Sequence, residues 1–407
     1  MTLHPSTVVL DGFRLTEARK RLRQGTDSDL QTALEVLTKQ ADQWLAQGPW
    51  SVTMKTVLPP SGDKHDYTSL APYWWPNPDS PDGKPYINRD GKKNPEVLSY
   101  TDRVYWEKVF SSSTVLALAW YYTGNEAYAR HAGDILRTWF INPETRMNPN
   151  LNHAQLIPYA NTGRCIGIID FSQAYTSLLD AAVILAHGTA DAQEPGTSPS
   201  RAPGWTDADV EAFRRWNFDF LEWLTDSAFG WEERAQSNNH GSFAAMQTAA
   251  IALFLGDTDR ARNEVLAVRT HLTDTIAPDG SQPEELRRTR SWHYSTFNLL
   301  ALTRLACVGQ KLGVDLWKFA GPGGEGGISR AVDFIIPVAT GSGSWPYPEL
   351  GFKAYAAADI IRTAANAGHL RAKEAIGLLQ MPPAGDLWPL RPAPEQLDGV
   401  VVDEHST

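Results

Sequence analysis

Cysteine is scarce in this chain. Two cysteines among 407 residues, Cys165 and Cys307, exclude a disulfide framework, and leave open either two buried thiols or one bond. Long apolar runs are missing too. None reaches the ~18–20 residues that a membrane-spanning helix needs, so no membrane partner is expected. The first residues, Met1-Thr2-Leu3-His4-Pro5, lack the charged and apolar blocks of a signal peptide. The chain is therefore intracellular, or it is secreted or periplasmic with its signal absent from this sequence; the second is the working expectation. Positive charge is in deficit, with 37 Lys+Arg against 47 Asp+Glu, a net charge of −10 and a pI near 5.5. That argues against nucleic acid as a partner. It leaves room for a polyanion, because a few arginines can make a positive cleft on an acidic protein. Neither His-Glu-x-x-His nor paired Cys-x-x-Cys occurs, so no metal site is expected. No Walker or dinucleotide pattern surrounds the glycine-rich residues 321–327, and no cofactor is expected.

Alternating strands are absent as well; helical periodicity dominates. The spacing predicts helices over 29–47, 105–123, 126–140, 170–186, 206–227, 240–255, 258–273, 283–312, 328–338, 355–367 and 369–379. Short turns such as Gly124-Asn125 and Gly256-Asp257 join them, which suggests stacked helical hairpins. An array of this length can close into an all-α (α/α)n toroid of six or seven hairpins, complete or incomplete. Residues 1–380 read as one domain and 381–407 as a C-terminal tail. Two irregular stretches interrupt the pattern. Residues 188–204, rich in Gly, Pro, Ser, Thr and Ala, read as a surface excursion without chemistry. Residues 48–103 are too long for an idle loop in a compact domain. They carry Tyr67 and Tyr73-Trp74-Trp75-Pro76 in a setting of Pro, Gly, Asn and Asp. Most of the 15 Trp, 13 Tyr and 14 Phe must fill a core. Aromatics in such a polar stretch are better placed to stack on a sugar ring, as a lid.

Two clusters carry the chemistry. Gln236-Ser237-Asn238-Asn239-His240 stands just before the apolar helix 240–255. Asn238 or Asn239 is a natural N-cap there, and unpaired N–H donors at a helix start attract a carboxylate. The second cluster is Leu286-Arg287-Arg288-Thr289-Arg290-Ser291-Trp292-His293-Tyr294. Ser281-Gln282-Pro283-Glu284 has the form of a capping box that starts a helix. On that helix Arg287 and Tyr294 lie about 20° apart around the axis and Arg290 about 60° from Arg287, so all three can face one cleft while His293 points elsewhere. A solvated basic face would show the same spacing. Asn239 and His240 sharpen the choice. An amide, an imidazole, arginines and a phenol are the groups needed for β-elimination on a uronic acid. The C5 proton is weakly acidic while the carboxylate keeps its charge. Donors that hold the enolate-like dianion stabilise the transition state more than the ground state. Tyr294 serves as base when positive charge lowers its pKa, and can return the proton to O4 if both atoms lie on one side of the ring.

The pieces Ala71-Pro72-Tyr73-Trp74-Trp75-Pro76-Asn77-Pro78, Met147-Asn148-Pro149-Asn150-Leu151-Asn152-His153-Ala154-Gln155, Ser237-Asn238-Asn239-His240 and Arg287…Arg290…Tyr294 together resemble the alginate-lyase superfamily of polysaccharide lyases, over roughly residues 50–370. The resemblance implies an α/α toroid, metal-independent β-elimination and an acidic polysaccharide as partner. It implies that Asn239 and His240 neutralise the carboxylate, that Tyr294 is base, acid or both, and that Arg287 stands in the site with Arg290 beside it. Asn238, Gln155 and Arg164 join Tyr67, Tyr73, Trp74 and Trp75 as substrate contacts. The extended region 77–103 and the insertion 188–204 depart from the classical mannuronate lyases, and related branches cut glucuronan. The substrate expected first is therefore poly-mannuronate in alginate, with glucuronan as the alternative. The rival enzyme class is an inverting hydrolase on the same toroid, built on carboxylates such as Glu284 and Glu285 or Glu232 and Glu233. A catalytically inert binding protein is the third possibility.

Overall fold

The computed structural model describes residues 4–188 and 201–399. The expected surface excursion falls mostly on residues outside that range. The first helices are α1 (Gly12–Gln24), α2 (Ser28–Leu45), α3 (Thr101–Thr123), α4 (Glu126–Leu136) and α5 (Ile169–Ser172). Next come α6 (Tyr175–His187), α7 (Asp207–Asp226), α8 (Ala228–Arg234), α9 (Asn239–Leu255) and α10 (Thr258–Thr275). The chain continues through α11 (Pro283–Leu286), α12 (Ser291–Lys311), α13 (Ile328–Ala339), α14 (Ala358–Asn366) and α15 (Leu370–Ala375). The predicted turns form for a stated reason. Gly124 and Gly256 take left-handed φ values of 75° and 81° as C-caps, which only glycine adopts at no steric cost. Asn125 and Asp257 then cap the next helix by accepting from Ala127 N and Arg260 N.

Two helices escape apolar periodicity. α1 carries six charged residues among its 13 and is set by its ends, Asp11 accepting at the N-cap and Gly25 closing the C-terminus. α8 is only seven residues long. The predicted helix 283–312 is two helices. Gln282 is the N-cap of α11 and makes no side-chain cap bond, so the expected capping box does not form. Between α11 and α12 the backbone is claimed from outside: Thr289 N donates to Asp90 and Ser291 N to Pro348 O. Those bonds replace the i−4 ladder across 288–291.

Helices α3, α6, α9, α12 and α14 form the inner wall, each touching the next, while α2, α4, α7, α10 and α13 pack behind them. This is the (α/α) toroid. Trp106, Phe171, Tyr175, Phe140 and Phe220 fill it in one aromatic cluster, with Trp106 and Phe171 stacked at 3.8 Å. The strands are minor. β1 (Thr68–Leu70) pairs in parallel with β4 (His153–Leu156), and β2 (Trp74–Trp75) pairs antiparallel with β3 (Ile87–Asn88). They shape the long aromatic segment.

The inner helices run the same way. α9 and α12 begin at one end, at Asn239 and Ser291, and end beside the N-terminal segment 4–11 at the other. That segment is pinned by Asp180 of α6, which accepts from Val8, Val9 and Leu10 N–H. The tail bridges α3 to α14: Tyr122 donates to Leu390 O, and Arg391 pairs with Asp359 at 2.9 Å.

Candidate active site

The first turns of three inner helices meet in one cleft. Arg103 of α3, Asn239 and His240 of α9, and Tyr294 of α12 all line it. Aligned helix starts add partial positive charge there, which suits an anion. The cleft has about 240 Å³ of space and is walled on one side by Tyr73, Trp74, Asn88 and Asp90, and on the other by Gln155, Arg164 and Gln173.

Asn238 is the N-cap of α9; its side chain accepts from His240 N at 3.0 Å. Asn239 is fully buried. Its backbone N and its Nδ2 both donate to Glu285, at 2.7 and 2.9 Å, while its Oδ1 has no partner among the described residues. His240 Nδ1 lies 2.8 Å from Glu233 Oε1. Burial pushes the carboxyls of Glu233 and Glu285 up, and the bonds to His240 and Asn239 work against that shift.

Tyr294 is 7% exposed and its hydroxyl lies 2.8 Å from that of Tyr73. Arg288 stacks over its ring at 3.7 Å. The expectation that nearby charge lowers this phenol's pKa is overturned. Burial pushes it well above its ordinary value, Tyr73 adds to the rise, and Arg288 only opposes it. Arg288 is itself held by Asp90, with 3.1 Å from Nε to Oδ1, and Asp90 also accepts from Thr289 N. Burial works against Asp90, but those donors hold its carboxyl below the usual range.

The arginines differ from their expected places. Arg287 is 70% exposed and pairs with Glu284, outside the cleft. The helical projection that put it beside Tyr294 assumed an unbroken helix, and the break at 287–290 rotates Arg288 into the cleft instead. Arg290 is turned toward Glu349, 3.9 Å away, and does not line the cleft either.

The aromatic segment splits in the same way. Trp74 lines the cleft, with Arg164 5.9 Å from its ring. Trp75 lies on the opposite face of the β2–β3 ribbon, as strand alternation requires. Its Nε1 donates to Lys92 O, and Arg89 sits 5.3 Å from its ring. Tyr67 is no surface contact. It is fully buried beneath the cleft, donates to Asp170, and packs its edge on Phe171. Asp170 also accepts from Ser69 and Gln155 Nε2 and pairs with Arg103 at 3.2 Å, so it ties β1, β4 and α3 together. Gln155 takes a left-handed φ of 48° at that junction. Burial lowers the pKa of Arg164, and the charges of Glu233 and Glu232 oppose that shift.

Sequence reasoning missed Arg288, Asp90, Arg103 and the two buried glutamates. Arg288 stood in the quoted cluster and was lost to the helix projection. Glu233 and Glu285 enter the sequence reading only as members of the candidate hydrolase pairs Glu232/Glu233 and Glu284/Glu285. Burial would have had to be known to see them as holders of His240 and Asn239, and nothing in the pattern marked Asp90 or Arg103.

The alginate lyase family matches residues 51–345 of the chain. A crystal structure of an alginate lyase from Bacteroides ovatus is 30% identical with a TM-score of 0.86, covering 96% of this chain and 99% of that one. Alginate lyase A1-III from Sphingomonas species A1 is 17% identical with a TM-score of 0.57, covering 95% and 96%. That likeness shows the shared fold. A variant of A1-III in complex with a tetrasaccharide has a TM-score of 0.58 at 17% identity, covering 96% of each chain. No curated protein matches significantly. With nearly three quarters of its length matched to the family and a 30% identical relative aligned end to end, the chain belongs to the alginate lyase family and is a polysaccharide lyase.

Proposed function

We propose that the enzyme cleaves β-1,4-linked poly-mannuronate in alginate by β-elimination, leaving a 4,5-unsaturated uronate at each new end. The observation that carries this reading is the meeting of Tyr294, Tyr73, Asn239 and His240 in one cleft. The uronate carboxylate sits at the start of α9. His240, held through Nδ1 by Glu233, keeps Nε2 for the substrate, and Arg164 supplies positive charge. As the C5 proton leaves, charge builds on that carboxylate, and donors fixed in advance stabilise it more than they stabilise the ground state.

The proton is handled by the two phenols. Burial keeps Tyr294 neutral, the form that protonates the departing O4. Its 2.8 Å bond to Tyr73 lets the pair act as a unit: when one phenol is ionised, the other donates to it, a charge-assisted bond that lowers the cost of the base form. Arg288 over the Tyr294 ring works in the same direction. In mannuronate H5 and O4 lie on one face of the ring, so one phenol pair can remove the first proton and supply the second. Trp74 lies where a neighbouring sugar ring would stack. No metal takes part in this scheme.

The hydrolase alternative is less favoured, because Glu233 and Glu285 are already committed to His240 and Asn239. The test is a panel of poly-mannuronate, poly-guluronate and glucuronan, followed by the ultraviolet absorbance of the new conjugated double bond. Fastest absorbance growth on poly-mannuronate is expected. Growth on glucuronan alone would move the substrate and keep the reaction. Reducing ends without absorbance would make it a hydrolase.

A further inference from the structure

The buried glutamate beside Asn239 does not fit simple neutralisation of an anion. Glu285 sits on α11, 2% exposed, and both its oxygens face Asn239. The bond to Nδ2 turns the donor end of the planar amide toward Glu285. Oδ1, at the opposite end of the amide, has no partner among the described residues although the residue is fully buried and lines the cleft. An entering carboxylate would then meet a lone-pair oxygen, with a second carboxylate one side chain behind it. Both contacts are repulsive, and a buried polar atom without a partner is costly in itself.

One change removes both problems. If Glu285 takes a proton, its O–H can donate to Asn239 Oδ1 while its other oxygen still accepts from Asn239 N. The amide must turn over to present Oδ1, and the turn swings Nδ2 away from Glu285 to the side that Oδ1 held. The two amide orientations have nearly the same shape, so the turn needs no repacking. The geometry points to Glu285 as a proton-linked positioning residue: it takes up one proton from solvent as the substrate carboxylate enters, and thereby aims the Asn239 amide as a donor at that carboxylate. The proton returns to solvent when the product leaves.

The groups that face Glu285 agree with this. His240 on α9 and Arg288 in the segment after α11 are the titratable and charged groups beside it, and α12, on which α11 packs, brings Tyr294 into the same cleft. Arg288 is already paired with Asp90. Burial holds the carboxyl of Glu285 above its ordinary range before any substrate arrives, and an incoming anion raises it further.

The inference rests on the lyase reading, and the experiment separates the two. Wild type is assayed on poly-mannuronate across pH; absence of conjugated product at every pH on every polyuronate would overturn the lyase reading itself. With activity present, KM should climb about tenfold per pH unit above the free-enzyme pKa of Glu285, by linkage. In Glu285→Gln the side-chain amide imitates the protonated acid, donating to Oδ1 and accepting from Asn239 N. This variant should keep kcat within about threefold and lose that climb in KM. A Glu285→Gln enzyme that is folded but a hundredfold slower, or one with the wild-type pH profile, overturns the proposal. A measurement that needs no change at Glu285 guards against misfolding. In Tyr294→Phe, used to halt turnover, binding of a mannuronate oligosaccharide should bring a protonated-carboxyl stretch into the infrared difference spectrum. Protonation of His240 would give no such band, and its absence overturns the proposal.

Discussion

The two ends of the inner helices use buried carboxylates for opposite purposes. At the far end Asp180 accepts from the N–H groups of Val8, Val9 and Leu10, and Lys311 donates to Leu10 O at 2.6 Å. Asp359, at the start of α14 and away from the cleft lining, is met in the same way by Arg391 and Arg362. Those carboxylates are satisfied by groups that no ligand has to supply, and they close the toroid with the chain's own ends. At the cleft end Glu233 and Glu285 are equally buried, yet one oxygen of Glu233 and the Oδ1 of Asn239 have no partner among the described residues. A satisfied buried network makes structure, whereas a partly satisfied one beside an open cleft leaves polar atoms for a substrate. Substitutions at the far end should therefore cost stability, and substitutions that take a reacting or donor group out of the cleft, unlike the isosteric Glu285→Gln, should cost turnover.

The largest effect is expected at the cleft. Tyr294→Phe removes one hydroxyl and its bond to Tyr73 while keeping the packed ring. Loss of acid–base catalysis should lower kcat by ~10²–10⁴ with a smaller change in KM. Thermal unfolding should move little. Steady-state kinetics and a melting curve on the same preparation check it, and near-normal turnover would shift the proton transfer to Tyr73 or His240.

Asp180→Ala should do the reverse. It strips the acceptor from three backbone N–H groups and leaves Lys311 buried without its counter-charge. The expected loss is about 3–5 kcal/mol of folding stability. Urea unfolding reads it, and kcat per folded molecule should stay close to wild type. A stable but inactive Asp180→Ala protein would erase the contrast between the ends.

How far the chain could be read before its structure follows from the same contrast. The toroid was legible because inner helices such as α9 carry long apolar runs closed by glycine caps. Asn239, His240 and Tyr294, which the cleft brings together, were legible because an amide, an imidazole and a phenol in two short clusters fit one reaction and resemble one family. The arginine was assigned one position wrong. Its place depends on a helix break made by Asp90, about two hundred residues away along the chain, and by Pro348. Tyr67 was misread because the loop around it is polar, although it stands just before β1, fully buried, and Asp170 satisfies its hydroxyl. Long-range contacts of that kind leave no local pattern.

The tryptophan pair sharpens the comparison inside a single ribbon. Trp74 faces the cleft near Arg164, and Trp75 faces away beneath Arg89. Trp74→Ala should raise KM by roughly tenfold, the size of one lost aromatic stack at about 1–1.5 kcal/mol. Trp75→Ala should leave KM within about twofold, since it loses only the Lys92 bond and the Arg89 contact. Equal KM changes in both would mean that the ribbon moves as a whole when substrate binds.

The smallest effect should come from Arg287, which the spacing alone had placed beside the reacting phenol. Its side chain is 70% exposed and its partner Glu284 is 44% exposed, so the pair is a surface ion pair screened by solvent. Arg287→Ala should change stability by no more than about 0.5 kcal/mol and kcat by less than twofold. Arg288→Ala, one residue on, removes both the charge over Tyr294 and the partner of Asp90. Measured side by side, the two variants test whether the helix break decides which arginine serves the cleft. If Arg287→Ala proves the more damaging, then the segment 287–290 winds into the continuous helix when substrate is bound, and the cleft described here is its resting form.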